Sequence, residues 1–343
     1  MKTKALFGRK YMDIQIRDIE LPALLPDQVL VKVHACGVCG TDLNFIRDLD
    51  GDYQPMGHEI SAEVIETGSS VKDLTPGTKV IVEDCTMCGR CKDCKAGHPE
   101  FCRNMYNLNG IPGMGEYLIV HASGVVPFDG LEHKYACLTE PLAVAYNAVQ
   151  SANITPGARV LIPGTGPIGL LCAVLCRLQG ASWVGMSCRN IKNPMQQARA
   201  ELAYKLGCDL VVETKKEEIA EAVLRACPGG VDRVIVTSPP ESVLDGIKTV
   251  RYGGEIIFLG LSFAPGKNII DFDVNHAIFN KITLRPSFAE PALNFPAALA
   301  LIKSGQIPAE LFQTHFFSFK DHREVFQAVL NGELPVIKPV FLP

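Results

Sequence analysis

The chain has 343 residues, which is enough for two domains of ordinary size, each with its own core. Apolar residues make up 47% and charged residues 20%, and the formal net charge is −4, so nucleic acid and anionic membrane surfaces are poor candidates as partners. No apolar run reaches the roughly 18 residues of a membrane span, and the start lacks the apolar segment of a signal peptide. We therefore expect a cytoplasmic protein whose thirteen cysteines are reduced rather than paired in disulfides.

Short β-rich runs separated by Gly, Pro and Asp fill roughly the first 130 residues. The first twenty residues alternate like a strand. Further strand-like runs occupy residues 28–37, 60–68, 78–85 and 115–122. This spacing predicts a strand-rich, barrel-like domain.

From residue 159 onward, apolar strands alternate with helices. The predicted strands cover residues 159–163, 183–187, 209–213, 233–238, 255–260 and 282–287. The predicted helices lie at about 168–179, 194–206 and 216–226, and a further one lies near the C-terminus at about 291–304. Strands that alternate with helices predict βαβ units and a parallel, doubly wound sheet.

The stretch PGTGPIG at 163–169 matches the dinucleotide-binding pattern G-x-G-x-x-G. It follows a buried-looking strand and opens an apolar helix, where glycines permit a tight turn and the helix N-terminus attracts a pyrophosphate. The residues that we assign to cofactor binding lie in this turn and at the ends of later strands: Gly164, Thr165, Gly166, Pro167, Ile168, Gly169, Ser187, Arg189, Lys192 and Gly260.

The strand after this turn ends in Ser187-Cys188-Arg189-Asn190, where an NAD enzyme usually has Asp or Glu for the ribose 2′-hydroxyl. No acidic residue occurs between the turn and Glu201. Arg189 and Lys192 supply cations where a 2′-phosphate would lie, and a guanidinium suits a phosphate well. The pattern favours NADP(H) over NAD(H); the alternative is that Arg189 is a solvated loop residue.

Two groups of residues indicate zinc. Cys88, Cys91, Cys94 and Cys102 are spaced C-x₂-C-x₂-C-x₇-C, and four such thiolates can close a tetrahedron around Zn²⁺. The second group comprises HACGVCGTD (34–42), GHE (57–59) and TEP (139–141). It offers a thiolate, an imidazole and one or two carboxylates, as an open zinc site requires. Taken singly, a histidine such as His58 is more often a hydrogen-bonded structural residue than a ligand, and Glu140 before Pro141 could simply favour a helix start.

With these motifs, essentially the whole chain resembles the medium-chain zinc alcohol dehydrogenase family. The resemblance implies a GroES-like catalytic domain at 1–148 and 288–343, with a zinc lobe at about 84–104, and a Rossmann domain at 149–287. The four-cysteine lobe would hold a structural zinc ion.

The resemblance also implies roles for individual residues. In C-G-T-D it selects Cys39, rather than Cys36, as a ligand of the catalytic zinc ion, and the further ligands implied are His58, Glu59 and Glu140. Thr41 would take the alcohol proton, although Asn44 stands where many relatives have a histidine. Glu140 followed by proline points to the sorbitol and threonine dehydrogenase branch.

The implied reaction is the reversible oxidation of a secondary alcohol of a polyol, sugar or sugar phosphate to its ketone. It would use two zinc ions per chain and NADP(H), in a homodimer or homotetramer. Two alternatives are an NAD-dependent amino-alcohol dehydrogenase of the threonine type and a non-catalytic protein that binds zinc and a dinucleotide.

Overall fold

The computed structural model describes residues 1–290 and 292–343, and these residues form two compact units. The first unit comprises Met1–Ala143, Ala289–Leu330 and Lys338–Pro343, and the second comprises Val144–Phe288 and Asn331–Ile337. The boundaries predicted from the sequence place residues 144–148, 288 and 331–337 in the first domain, whereas the structure places them in the second unit. None of the helices in the described ranges is long and apolar enough to cross a membrane.

The N-terminal part of the chain is rich in short strands. Its elements are β1 (Lys2–Arg9), β2 (Asp13–Glu20), β3 (Gln28–Gly37), α1 (Gly40–Arg47), β4 (Gln54–Pro55), β5 (Glu59–Thr67), β6 (Lys79–Val82), β7 (Cys85–Thr86), α2 (Lys92–Lys95), β8 (Tyr106–Asn107), β9 (Tyr117–His121), β10 (Val125–Pro127), α3 (His133–Ala136) and α4 (Thr139–Ala152).

The middle of the chain alternates strands with helices. Its elements are β11 (Arg159–Pro163), α5 (Pro167–Leu178), β12 (Trp183–Cys188), α6 (Pro194–Lys205), β13 (Leu210–Glu213), α7 (Ile219–Ala226), β14 (Val231–Val236), α8 (Val243–Thr249), β15 (Val250–Phe258), α9 (Val274–Phe279) and β16 (Thr283–Pro286).

The C-terminal part has mixed character. Its elements are α10 (Phe295–Lys303), α11 (Ala309–Phe312), β17 (Gln313–Phe317), α12 (His322–Asn331) and β18 (Lys338–Phe341). The helix predicted from about residue 291 begins four residues later, at Phe295, and Pro291 itself lies outside the described residues.

A seven-stranded sheet organises the first unit. Its order is β10-β6-β5-β3-β18-β17, and β9 also pairs with β3. The antiparallel pairing of β3 with β5 sets Gly37 opposite Glu59, and β18 pairs with the same end of β3. Three chain segments remote in sequence therefore meet where β3 ends and the loop to Cys39 begins.

A six-stranded parallel sheet organises the second unit, in the order β13-β12-β11-β14-β15-β16. Buried aliphatic side chains such as Val160, Leu161, Val234 and Ile256 fill its strands, as expected for strands covered on both faces. The strand order reverses beside β11, which creates a switch point where ligands typically bind. The predicted class, a β-rich domain with a doubly wound parallel sheet, is confirmed.

Candidate functional site

Cys39 and His58 are brought together by a buried carboxylate. Cys39 precedes α1, and Asp42 in the first turn of this helix is almost fully buried. One Asp42 oxygen accepts the Cys39 N–H at 2.9 Å, and the other accepts the Gly57 N–H at 2.8 Å. Asp42 thus fixes the loop that carries Cys39 against the loop that carries His58.

The Cys39 thiol, the His58 imidazole and the Glu59 carboxylate each offer a ligand atom, and these three atoms lie within 4.8 Å of one another. The Thr41 hydroxyl oxygen lies 3.6 Å from Cys39 Sγ. Glu140, in the first turn of α4, is buried and interacts electrostatically with His58, although its carboxylate lies outside the set of three. Sulfur, imidazole and carboxylate donors at this spacing suit Zn²⁺.

Charge determines the protonation behaviour of this cluster. Burial opposes the imidazolium form of His58, but the Cys39 thiolate and the Glu140 carboxylate outweigh burial, so the pKa of His58 lies well above its ordinary value. Burial also raises the pKa of Glu140. An excess of negative groups around one imidazole is the electrostatic setting that a divalent cation neutralises.

Glu59 has a partner that comes from the other end of the chain. Lys338, at the start of β18, is almost completely buried, and its Nζ lies 2.5 Å from Glu59 Oε1. The same ammonium donates to the Val38 carbonyl oxygen at 3.0 Å. Glu59 Oε2 is buried without a hydrogen-bond partner. One oxygen of this carboxylate is therefore neutralised, and the other is available as a ligand.

A second pair of carboxyl groups adjoins His58. Ligand atoms of Asp84, Cys85 and Glu290 lie within 4.8 Å of one another. Burial raises the pKa of Asp84 and of Glu290, and the Asp84 charge raises the pKa of Glu290 further, while His58 opposes both shifts. Two carboxyl groups this close favour a shared proton.

The four predicted lobe cysteines converge. Ligand atoms of Cys88, Cys91, Cys94 and Cys102 all lie within 4.8 Å of one another, with Sγ separations of 3.4 Å for Cys91–Cys94 and 4.0 Å for Cys91–Cys102. A tetrahedral zinc ion with four thiolates requires separations of about 3.8 Å. The donors thus fit a closed zinc site. Backbone N–H groups, that of Arg90 foremost, lower the pKa of Cys88 to about 6, which favours its thiolate.

Cys85, the fifth thiol of this run, is not part of that set. It is buried at the start of β7 and groups instead with Asp84 and Glu290.

The glycine turn lies at the switch point of the parallel sheet. Gly164 follows β11 with φ +107°, a conformation that favours glycine. A Cβ at Gly169 would lie 2.2 Å from the Gly164 carbonyl oxygen, so the helix packs against the turn too closely for a larger residue. Thr165 is buried. Gly166 is the N-cap of α5, which begins at Pro167, so the N-terminus of this helix lies at the turn. Gly260 follows β15 in the same unit.

The end of β12 carries the predicted ribose-reading residues. Ser187 is buried and its hydroxyl accepts the Gly164 N–H at 3.2 Å, whereas Arg189 and Lys192 are exposed. Glu213, an acidic residue that the sequence motif did not indicate, is the last residue of the neighbouring strand β13 and pairs with Cys188. Its carboxylate accepts the Ile191 N–H and pairs with Lys216 at 2.6 Å.

These features define a class. A glycine turn at the switch point of a parallel sheet, together with a Cys–His–carboxylate set and a four-cysteine lobe, is typical of dinucleotide- and zinc-dependent oxidoreductases.

Comparison with known proteins identifies the family. The alcohol dehydrogenase GroES-like domain matches residues 25–130, and the zinc-binding dehydrogenase domain matches residues 167–304. The chain is 31% identical to an L-threonine 3-dehydrogenase of Pyrococcus abyssi, covering 97% of this chain and 95% of that protein. It is 28% identical to a sorbitol dehydrogenase of Bacillus subtilis, with 99% and 97% covered. The chain therefore belongs to the medium-chain zinc-dependent alcohol dehydrogenase family, in its polyol and threonine dehydrogenase branch.

A solved structure supports the fold assignment. A protein from Sinorhizobium meliloti 1021, described as a zinc-binding dehydrogenase and solved bound to NADP, superposes with a TM-score of 0.85 at 28% identity, and the match covers 100% of both chains. The family membership makes this protein an oxidoreductase that acts on small-molecule alcohols.

Proposed function

We propose that this protein interconverts a secondary alcohol of a polyol or sugar with its ketone, using NADP(H). The observation that carries the proposal is the set of Cys39, His58 and Glu59 donors beside the Thr41 hydroxyl. Cys39, His58 and one of the two glutamates, Glu59 or Glu140, would hold a catalytic zinc ion. Cys88, Cys91, Cys94 and Cys102 would hold a structural one.

A zinc ion held by these residues would supply a Lewis acid that lowers the pKa of the substrate hydroxyl, and a bound dinucleotide would supply the hydride acceptor. The chain supplies positioning and proton transfer. Thr41, held at 3.6 Å from Cys39 Sγ, would hydrogen-bond the substrate oxygen and receive its proton. Asn44, which stands where many relatives have a histidine, accepts a hydrogen bond from Arg47 at 2.7 Å. Neither side chain can take up a proton, so the proton that Thr41 releases would pass to solvent.

The charge around His58 narrows the substrate class. Asp84, Glu140 and Glu290 all interact with His58, and carboxyl groups, whether ionised or protonated, offer a phosphate group no cationic partner. We therefore place neutral polyols and sugars ahead of sugar phosphates. The same carboxyl groups would accept the ammonium of an amino alcohol, and an L-threonine 3-dehydrogenase is among the relatives, so oxidation of such a substrate with NAD is the second candidate.

The cofactor preference is proposed from the loop after β12. Arg189 and Lys192 are exposed beyond the strand end, and Glu213 is already neutralised by Lys216. A 2′-phosphate would therefore meet cations there. The structure solved with NADP is a relative with the same fold, which supports this preference. We further propose a homodimer or homotetramer.

Turnover of sorbitol, xylitol, galactitol 1-phosphate and L-threonine with each cofactor tests the proposal. We expect oxidation of a neutral polyol with NADP, and its loss in Cys39→Ser but not in Cys36→Ser, the neighbouring thiol. Arg189→Ala should raise the KM for NADP at least tenfold and leave the KM for NAD unchanged. Preferential turnover of L-threonine with NAD would select the second candidate. Absence of any turnover by zinc-loaded protein would favour a non-catalytic binding protein.

A further inference from the structure

A cluster of two histidines, a serine and a glutamate lies on the first unit, apart from the residues assigned above. His34 and His133 stack with their ring centroids 4.3 Å apart at an interplanar angle of 18°. Ligand atoms of His34, Glu63 and His133 all lie within 4.8 Å of one another. His34 Nε2 is 3.7 Å from Glu63 Oε2, so the His34 imidazole and the Glu63 carboxylate lie side by side in this cluster.

The backbone presents His34 by an irregularity of the sheet. On β3, Val33 pairs with Ala62 and Ala35 pairs with Ser61, so His34 is the extra residue of a β-bulge. A bulge turns a side chain away from the regular alternation of its strand. Glu63 comes from the partner strand β5, and His133 is the first residue of α3. Three separate elements therefore converge.

The second nitrogen of His133 is fixed by a buried hydroxyl. Ser61 is completely buried, and its Oγ lies 2.7 Å from His133 Nδ1. When His133 Nδ1–H donates to the Ser61 hydroxyl, Nε2 is the unprotonated nitrogen and can bind a metal ion, which is how histidine ligands are commonly oriented. His34 Nε2 is shielded from solvent and has no hydrogen-bond partner.

Both imidazoles are neutral in the physiological range. Burial lowers the pKa of His34, and the nearby Glu63 carboxylate only partly offsets this shift. Burial, together with the repulsion between the two imidazoles, lowers the pKa of His133 to about 4. Lys32 and Lys79 also face the cluster and disfavour the protonated rings. Neutral imidazole is the form that binds a metal ion.

From this arrangement we infer that His34, His133 and Glu63 form a binding site for a borderline transition-metal ion such as Zn²⁺, with Ser61 orienting His133. Two imidazoles and one carboxylate match the donors that Zn²⁺ and Ni²⁺ accept. Metal–donor bonds of about 2.1 Å require donors about 3.4 Å apart, so the set must contract. The ring lone pairs lie in the ring planes, so the His34 ring must turn about χ2, a soft torsion, to face the same ion as His133, which Ser61 holds in place.

Occupation of this site would link the segments that lead to the active site. His34 lies five residues before Cys39 on the same strand and loop, and His133 lies seven residues before Glu140. An ion held by both histidines would therefore tie β3 to α3 and stabilise the native state by mass action. This inference does not depend on the proposed substrate or cofactor.

Bound zinc per chain, measured by mass spectrometry after equilibrium dialysis against micromolar Zn²⁺, tests the site. Wild type should hold one equivalent more than His34→Gln and His133→Gln, whatever the cysteine sites hold. The matched control is His121→Gln, because His121 also stacks on a ring, Tyr106 at 3.7 Å, and lies 3.4 Å from the Asp27 carboxylate, but without a second imidazole. This control should keep the wild-type number.

Two further measurements keep the test decisive. Ser61→Ala should weaken zinc binding at this site by about 10- to 100-fold, as the loss of an orienting hydrogen bond does. In folded wild-type protein labelled with ¹⁵N-histidine, a zinc titration should shift the His34 and His133 ring resonances and not those of His121. Equal zinc content in wild type and both histidine variants, or unshifted His34 and His133 resonances, would overturn the inference.

Discussion

Lys338 neutralises the carboxylate of Glu59, which lies in the same set of donors as Cys39. Its ammonium and the Glu59 carboxylate are both buried, and burial works against the charged form of Lys338, but Glu59 outweighs it and raises the pKa of Lys338. We expect Lys338→Met to lower the free energy of unfolding by about 3–5 kcal/mol, because it leaves a buried carboxylate unpaired. Urea unfolding of the zinc-free protein measures this change, because a bound zinc ion would itself neutralise the Glu59 carboxylate.

The ion pair between Lys303 and Asp129 provides the control, because both of its side chains are largely exposed. Lys303→Met should cost less than about 1 kcal/mol. Similar losses for the two variants would show that the Lys338 pair contributes no more than a surface ion pair.

Glu83 should make the native state less stable as pH rises. Burial raises the pKa of the Glu83 carboxyl to about 7, although a hydrogen bond from Thr86 to the carboxylate acts in the opposite direction. In the unfolded chain the pKa of the same carboxyl is near 4.5. Between these values the unfolded state releases a proton that the native state keeps, so stability falls as pH rises; below pH 4.5 the penalty is absent. Glu83→Gln should therefore be more stable than wild type by about 3 kcal/mol at pH 8, and by much less at pH 5.

Denaturant unfolding at pH 5, 6.5 and 8 measures this difference. Glu66→Gln, at an exposed carboxylate of β5, should show the same pH dependence as wild type. A constant difference between Glu83→Gln and wild type across this range would contradict the prediction.

At the level of residues, sequence spacing identifies the groups that lie close together in the chain or belong to a short motif. The lobe cysteines and the C-G-T-D and G-H-E motifs fall in this category, and their side chains do converge. Lys338 gives no such signal, because it lies 279 residues from Glu59. The sequence around the glycine turn likewise gives no sign of Glu213, since it comes from the neighbouring strand β13, where it pairs with Cys188 at the end of β12.

The zinc lobe is the element whose stability should depend most on metal. It contains a four-residue helix, α2, a single 3₁₀ turn at Pro99–Phe101 and the two-stranded ribbon of β7 and β8, so it buries little apolar surface of its own. Cys102→Ser should lose one zinc equivalent per chain and unfold the lobe, so that trypsin cleaves after Lys92 and Lys95, which are exposed but held in the short helix α2. Metal analysis together with limited proteolysis measures both effects.

Cys85→Ser is the matched control, since Cys85 is a buried thiol of the same run that lies outside the four-sulfur set. It should retain the wild-type zinc content. Equal zinc loss in both variants would mean that the lobe uses a different set of thiols.

The periodicity of apolar residues makes the βαβ elements readable from sequence, because each strand and helix is specified by its own residues. The predicted strand at 78–85 instead divides into β6 and β7, since the chain turns at Glu83 and Asp84. The order of the strands in a sheet is harder to predict from the sequence. The final strand β18 inserts between β3 and β17, and such a pairing is decided by packing across the whole chain rather than by local pattern.

The parallel sheet of the second unit ends in an edge that suits a second copy of the chain. Strand β16 pairs only with β15 among the described residues, and large apolar side chains near it are exposed, including Ile278 at 64%, Phe279 at 75% and Phe288 at 69%. An unpaired strand edge flanked by apolar surface is a template for association. Pairing of β16 with the β16 of another copy would cover both features symmetrically.

We therefore expect Phe279→Lys to open this interface, which would convert a dimer to a 37.3 kDa monomer and a tetramer to a dimer, because the interface would bury two positive charges that face each other. Light scattering coupled to gel filtration measures the mass. Tyr204→Lys is the control, since Tyr204 is also exposed but lies on α6, which contacts β13 at the opposite edge of the sheet. An oligomer of unchanged mass in Phe279→Lys, or a monomeric wild type, would exclude this edge as the interface, because a symmetric contact carries the substitution twice.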